Sequence, residues 1–238
     1  MKDYLNLNTG ISSAEDADDA IKPTVLLENR LNELDREIES LPQGHVERAR
    51  HLIEKGYVYI DLSRNKEAHQ SGHDAFKLAL ANEHWQYAVE ALDVIFMSEQ
   101  EDSVVALGHG IWLSVTFPID PELSIAMLQH LIEESPDRSD GAAVAAATAC
   151  YIVSIRVEEP RKRADLSFFT NQLLGQVARK HSQVEEQEIF DFWVEQLELN
   201  EPEKFIPRMA QIIDVIVDGD WWFKRDEIRQ KIPEDASE

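Results

Sequence analysis

Apolar side chains recur every three or four residues along most of this chain, and this spacing constrains the fold more than any other feature. Trp85, Ala88, Leu92 and Ile95 follow one another at intervals of three, four and three residues. Such intervals place side chains on one face of an α-helix, whereas a half-buried strand alternates apolar and polar residues. No credible alternation of that kind runs through the chain, so the sequence predicts an all-α protein.

Proline, glycine and short polar runs separate the helical segments. They predict about eleven helices joined by short connections, which defines an antiparallel helical array. The expected helices cover residues 23–41, 45–62, 67–81, 84–97, 103–115, 122–134, 141–157, 164–180, 184–199, 202–218 and 221–232. Residues 1–22 are expected to form a flexible acidic segment, residues 23–232 a single helical domain, and residues 233–238 a polar tail.

The first predicted helix carries one apolar stripe. Pro23 is expected in its first turn, and Leu27, Leu31, Leu34 and Ile38 follow at helical spacing. The stripe is only about two heptads long, which is too short for a free-standing coiled coil. Homodimerisation through this stripe, or through the region around Trp221, remains open at this point.

The charge balance excludes several kinds of partner. The 238 residues include 46 acidic and 23 basic side chains, for a net charge of -23. Such a chain should repel nucleic-acid phosphates and anionic membranes, so neither is expected to bind it directly. The single cysteine, Cys150, excludes an intrachain disulfide and fits a reducing compartment. With no signal peptide in the first residues, a cytoplasmic location is expected.

The acidic residues are concentrated in two stretches. No Lys or Arg lies between Lys77 and Arg138, a stretch whose acidic residues include Glu83, Glu90, Asp93, Glu99, Glu101 and Asp102. The second stretch holds Glu185, Glu186, Glu188, Asp191, Glu195, Glu198, Glu201 and Glu203. Helical faces of one charge lack the stabilising pairs of opposite charge, which indicates a field directed at a basic partner. An acidic surface that serves only solubility is the alternative.

The middle of the chain resembles a tetratricopeptide-type helix-pair repeat. Gly56, Tyr59, Ala68 and Ala75 match the Gly, Tyr, Ala and Ala spacing of that repeat, where small residues lie at helix crossings. Gly72 departs from the pattern, because the family has a large aromatic residue there. The resemblance implies a right-handed solenoid that binds proteins, and an irregular helical bundle is the alternative.

Two histidines form the main candidate for metal chemistry. His69 and His73 are four residues apart, so both imidazoles can point the same way from one helix. A zinc site needs at least a third ligand, which the sequence does not identify, and two solvent-facing histidines are the simpler interpretation. Cys150 lies in an alanine-rich segment and is expected to be a buried, inert thiol. No cofactor-binding motif is present, so no cofactor, resident metal or catalytic residue is predicted.

Three consecutive aromatic residues, Trp221, Trp222 and Phe223, are the other unusual feature. On the predicted last helix they cannot all face one core, so at least one is expected at the surface. Exposed aromatic side chains are typical binding anchors. These three, with Glu185, Glu186 and Glu188, are therefore the candidate partner-binding residues.

The sequence predicts a non-catalytic adaptor, scaffold or chaperone-like protein. Its acidic helical surface would hold another protein, one with a basic surface. One alternative is an acidic inhibitor that mimics DNA. A second alternative, from another class, is a helical metal-dependent enzyme that uses His69 and His73.

Overall fold

The computed structural model describes residues 17–232, and side chains from Pro23 onward. Within that range the helices are α1 (Ala17–Ser40), α2 (Glu47–Asp61), α3 (Asn65–Ala81), α4 (Trp85–Met97), α5 (Ser103–Thr116), α6 (Pro121–Glu134), α7 (Asp140–Arg156), α8 (Pro160–Ser182), α9 (Gln187–Gln196), α10 (Pro202–Val217) and α11 (Arg225–Arg229). Over the same residues no strand occurs, which confirms the all-α class. None of these helices is long and apolar enough to cross a membrane. The predicted tail 233–238 and residues 1–16 of the predicted flexible segment lie outside the described residues.

The first helix begins earlier than predicted. It starts at Ala17, so Pro23 lies inside the helix rather than in its first turn, and residues 17–22 are helical. The apolar stripe is as expected: Leu31 and Leu34 are buried against Val58 of α2, with Leu27 packed beside them. Because α2 already covers this stripe, homodimerisation would require another surface.

Tertiary contacts divide the chain into two compact units, with the boundary between Ala106 and Leu107 inside α5. In the N-terminal unit α1 packs against α2, α2 against α3 and α3 against α4, and α2 also contacts α4. In the C-terminal unit α7 contacts α6, α8 and α10. Two compact units can still unfold together as one domain. The single helical domain over residues 23–232 therefore stays a prediction.

Small residues mark the helix crossings of the N-terminal unit. A Cβ atom on Gly72 of α3 would lie 2.7 Å from Cγ1 of Ile95 and 3.2 Å from the carbonyl oxygen of Ala91 on α4. Ala68 and Ala75 of the same helix are fully buried. Packing of each helix on its neighbour through such residues is consistent with a helical repeat.

Helix α7 is the core of the C-terminal unit. Its buried residues occur on every face, and they are Ala142, Ala143, Val144, Ala145, Ala146, Ala147, Thr148, Ala149, Ile152 and Val153. A helix that is apolar all round must be covered all round. The short alanine side chains allow the three contacting helices to approach closely, as the sequence predicted.

Local capping explains where two helices begin. Oδ1 of Asp120 accepts a hydrogen bond from the Glu122 N–H at 2.9 Å, and Pro121 occupies the first turn of α6, both as predicted. Helix α8 was predicted from residue 164 but begins at Pro160. There Oε1 of Glu159 accepts a hydrogen bond from the Arg161 N–H at 2.9 Å, and Pro160 occupies the first turn. This is the same capping arrangement as in α6, and it lets α8 begin four residues earlier than predicted.

Candidate functional site

Two histidines on α3 and an aspartate just before α5 bring three metal-ligand side chains together in the N-terminal unit. The Nε2 atoms of His69 and His73 are 3.2 Å apart. Oδ1 of Asp102 lies 2.6 Å from Nε2 of His69, and Oδ2 lies 2.9 Å from Nε2 of His73. The sequence identified the two histidines, whereas the fold supplies the third group from a connection about thirty residues further on.

The backbone of Asp102 is hydrogen-bonded to the first turn of α5. The carbonyl of Asp102 accepts a hydrogen bond from the Ala106 N–H at 2.9 Å, which anchors Asp102 at the start of α5. Side-chain exposure is 27% for His69, 20% for His73 and 31% for Asp102. Both imidazoles are partly exposed, and in addition they face one carboxylate, which the interpretation of two solvent-facing histidines did not include.

Burial and hydrogen bonding together determine the protonation states in the cluster. A neutral imidazole has one N–H, so both histidines donate to Asp102 only as Nε2–H tautomers. Burial lowers the pKa of His73, against the opposing effect of Asp102. Burial acts to raise the pKa of Asp102, but the hydrogen bonds from His69 and His73 together hold it below its usual value. The cluster thus favours an ionised carboxylate beside a neutral His73.

Two carboxylates of the stretch without Lys or Arg are not on the surface. Glu90 and Asp93 of α4 are buried. Oη of Tyr57 donates to Oδ2 of Asp93 at 2.7 Å, and Nε2 of Gln86 donates to Oε1 of Glu90 at 3.1 Å. The expectation that this whole stretch presents its acidic residues to a partner is wrong at these two positions.

The acidic residues that precede and begin α9 do face solvent. Glu185, Glu186 and Glu188 are exposed. Beside them Ile189 is 51% exposed and Phe192 is 62% exposed. These two side chains are three residues apart and share one face of the helix. The apolar pattern alone did not separate these exposed positions from the buried Trp193, because α9 has apolar residues on two faces.

A cleft of about 410 Å³ lies between α8 and α9. Its lining includes Asn171, Gly175, Arg179, Glu185, Glu186 and Phe190. Because Arg179 lines the same space as Glu185 and Glu186, the cleft carries both signs of charge. Glu185 and Glu186 therefore line this cleft as well as facing solvent, whereas Glu188, Ile189 and Phe192 are not among its lining residues.

The three consecutive aromatic residues are not helical. The predicted helix over residues 221–232 is wrong, since α11 covers only Arg225–Arg229. The turn before it places Trp221, Trp222 and Phe223 around the buried His109 of α5, with ring centroids 5.1, 4.6 and 5.2 Å from that of His109. Phe223 is buried, which excludes it as a surface anchor. A partner-binding role stays a prediction for Trp221 and Trp222, whose rings are partly exposed.

Cys150 shows no sign of activation. Burial raises the pKa of its thiol, which disfavours the reactive thiolate. Its Sγ atom lies 3.9 Å from Oδ1 of Asn171 on α8. Cys150 is half-buried rather than buried as expected, and the raised pKa supports the interpretation of an inert thiol.

The resemblance to tetratricopeptide repeats depends on small residues at helix crossings. Gly72, Ala68 and Ala75 occupy such crossings, an arrangement that many helical arrays share. No protein-family model, no curated protein and no solved structure matches the chain.

Proposed function

We propose that this protein is a non-catalytic adaptor or chaperone-like scaffold that holds a basic protein segment against exposed residues of α9 and of the segment that precedes it. The observation that carries the proposal is the pair of exposed apolar side chains, Ile189 and Phe192, beside three exposed carboxylates. We call Glu185, Glu186, Glu188, Ile189 and Phe192 the α9 surface.

The apolar pair supplies affinity. Moving a large apolar side chain from water into a protein contact stabilises the contact by about 1.5–3 kcal/mol. Aromatic residues are enriched among the side chains that dominate interfaces. Phe192, which leaves most of its ring in solvent, is therefore the expected anchor of the partner.

The carboxylates select the partner. Glu185, Glu186 and Glu188 lie within four residues of one another in the sequence, and Arg179 is the one basic residue that lines the same cleft as Glu185 and Glu186. Complementary charge accelerates encounter and rejects partners of like charge. The matching partner is a segment with Lys or Arg beside an apolar side chain, such as one face of an amphipathic helix.

A tetratricopeptide-type repeat is the finer form of this proposal. The close approach at Gly72 and the buried Ala68 and Ala75 support it. The aromatic residue expected at position 72 is absent, so the repeat would be a degenerate one.

Binding to synthetic amphipathic peptides tests the proposal. A helical peptide of Lys and Leu should bind the full chain in fluorescence anisotropy, and more weakly when salt shortens the Debye length from about 10 Å to about 3 Å. The Glu and Leu counterpart should not bind. Phe192→Ser and the triple variant Glu185→Gln/Glu186→Gln/Glu188→Gln should each weaken binding about tenfold, equivalent to about 1.4 kcal/mol.

Matched controls separate the α9 surface from general charge attraction. The variant Glu133→Gln/Glu134→Gln/Asp137→Asn removes the same charge from other exposed positions, and Val215→Ser removes an exposed apolar side chain from α10. Both should bind the Lys and Leu peptide as the unmodified chain does. If the control triple variant weakens peptide binding equally, the proposal is wrong.

The alternative, an acidic inhibitor that mimics DNA, predicts that DNA competes with this chain for a partner retained from cell extract. If such competition is observed, mimicry of DNA becomes the better description.

A further inference from the structure

We propose that His69, His73 and Asp102 form a binding site for one divalent transition-metal ion of the zinc class. The site lies in the N-terminal unit and involves none of the residues of the α9 surface. It is independent of the proposed protein-binding function.

The distances between the ligand atoms suit a single ion. Zinc binds imidazole nitrogen at about 2.0–2.1 Å, so two such nitrogens lie about 2.9 Å apart at a right angle and about 3.4 Å apart in a tetrahedron. The Nε2 atoms of His69 and His73 are 3.2 Å apart, between those limits. The two oxygens of Asp102 lie one beside each imidazole: the 2.9 Å between Oδ2 and His73 also fits, and the 2.6 Å between Oδ1 and His69 needs only a small opening.

The donor types narrow the choice of ion. Neutral imidazole suits zinc, copper, iron and nickel, and one carboxylate is compatible with an ion of this class. Calcium and magnesium prefer sites built almost wholly from oxygen, which two histidines do not provide. A set of two imidazoles and one carboxylate from His69, His73 and Asp102 therefore selects a first-row transition metal.

The site is open on one side. Each of the three side chains keeps between a fifth and a third of its surface in solvent. Zinc sites that keep an open coordination position have three protein ligands and a water molecule, whereas structural zinc sites have four protein ligands. A bound ion would retain at least one water molecule.

The competing interpretation is a carboxylate that only bridges two imidazoles. In that arrangement both Nε2 atoms carry hydrogen, and two N–H donors 3.2 Å apart share one carboxylate. A metal ion replaces both hydrogens and uses the same three groups. Metal affinity therefore distinguishes the two interpretations.

Titration of the metal-free full chain with Co²⁺ tests the site through the visible absorption of the bound ion, with Zn²⁺ equilibrium dialysis giving the stoichiometry. One ion per chain is expected. Loss of a group that merely supports a ligand costs 10–100-fold in affinity, so His69→Ala, His73→Ala and the isosteric Asp102→Asn should each weaken binding at least about 100-fold. His45→Ala, which removes an exposed histidine, should change nothing.

Two results would overturn the site. One is an unmodified chain that binds no Co²⁺ or Zn²⁺ at micromolar concentration. The other is binding that survives all three ligand variants, since 46 acidic residues can attract cations weakly without a built site.

A second measurement needs no variant and so does not depend on their folding. Diethyl pyrocarbonate modifies accessible imidazoles, and mass spectrometry reports each histidine separately. Zn²⁺ should protect His69 and His73 and leave His45 as reactive as before. Equal modification of His69 and His73 with and without Zn²⁺ would contradict the proposal.

Discussion

The backbone N–H of Trp222 donates a hydrogen bond to Nε2 of His109 at 3.4 Å, joining residues 113 positions apart in the sequence. Because Nε2 accepts, the imidazole hydrogen is on Nδ1, which has no hydrogen-bond partner among the described residues. His109 is fully buried, and Trp221, Trp222 and Phe223 surround it. A charged imidazole would bring a further N–H into this apolar setting, so the fold favours the neutral ring.

We expect His109 to make stability depend on pH. Burial lowers its pKa from 6.5 to about 4, although Asp220 acts in the opposite direction. Between these values the unfolded chain binds a proton that the folded chain does not, so the free energy of unfolding decreases as pH falls from about 6.5 to about 4. Over this range the free energy of unfolding decreases by about 3 kcal/mol. Above pH 6.5 His109 is neutral in both the folded and the unfolded chain, so it no longer makes stability depend on pH.

Urea unfolding of the unmodified chain and of His109→Gln at pH 7, 5.5 and 4.5 measures this contribution. The variant should lose less stability than the unmodified chain over that range, because glutamine does not titrate. His45→Gln removes an exposed histidine and should retain the full dependence. Identical dependence on pH in all three proteins would show that His109 is not the responsible group.

We predict that Gly72→Ala destabilises the N-terminal unit. The added methyl group would lie 2.7 Å from Cγ1 of Ile95 and 3.2 Å from the carbonyl oxygen of Ala91, a backbone atom that cannot rotate away. Overpacking of this kind costs about 1–3 kcal/mol. The cost should exceed the gain of about 1 kcal/mol that alanine normally brings inside a helix, and urea unfolding measures the difference.

Gly175→Ala is the matched control on α8. Its Cβ would meet only the flexible side chain of Arg179, at 3.6 Å. There the helix propensity of alanine should dominate, so this variant should be as stable as the unmodified chain or up to about 1 kcal/mol more stable. A stabilised Gly72→Ala would mean that α3 and α4 are not in close contact at this crossing.

Arg156 is predicted to stabilise the end of α5. Its guanidinium donates to the carbonyl oxygens of Ser114 and Val115 at 2.7 and 3.0 Å, and to Oγ of Ser124 at 3.2 Å. The last carbonyls of a helix lack partners within the helix and attract positive charge. Arg156→Met keeps the apolar bulk but removes the side-chain donor to Val115 O and leaves Ser114 O with only the longer hydrogen bond from Ser124 Oγ at 3.3 Å. This loss should cost about 1–3 kcal/mol in thermal or urea unfolding.

Arg161→Met removes an exposed arginine and provides the comparison. Because surface substitutions change stability by only about 0.5 kcal/mol, it should leave the unfolding transition nearly unchanged. If both methionine variants unfold alike, the hydrogen bonds of Arg156 to α5 contribute little.

The sequence by itself determined most of the helices, because local forces place their ends. The side chain of Asp120 and the fixed backbone of Pro121 begin α6 without help from the rest of the chain. Where local signals competed, prediction failed. Pro23 is compatible with a helix start, but α1 begins before it, and the apolar residues 221–223 resembled a helix that tertiary packing converts into a turn.

Only the tertiary structure decided which side chains meet and which remain in solvent. Helical spacing put His69 and His73 on one face, but no local signal linked them to Asp102 across the connection that follows α4. The same pattern made Ile189 and Trp193 equivalent, although one is exposed and the other buried. The physical reason is that periodicity defines the faces of a helix, whereas the non-local packing of its neighbours determines which face is covered.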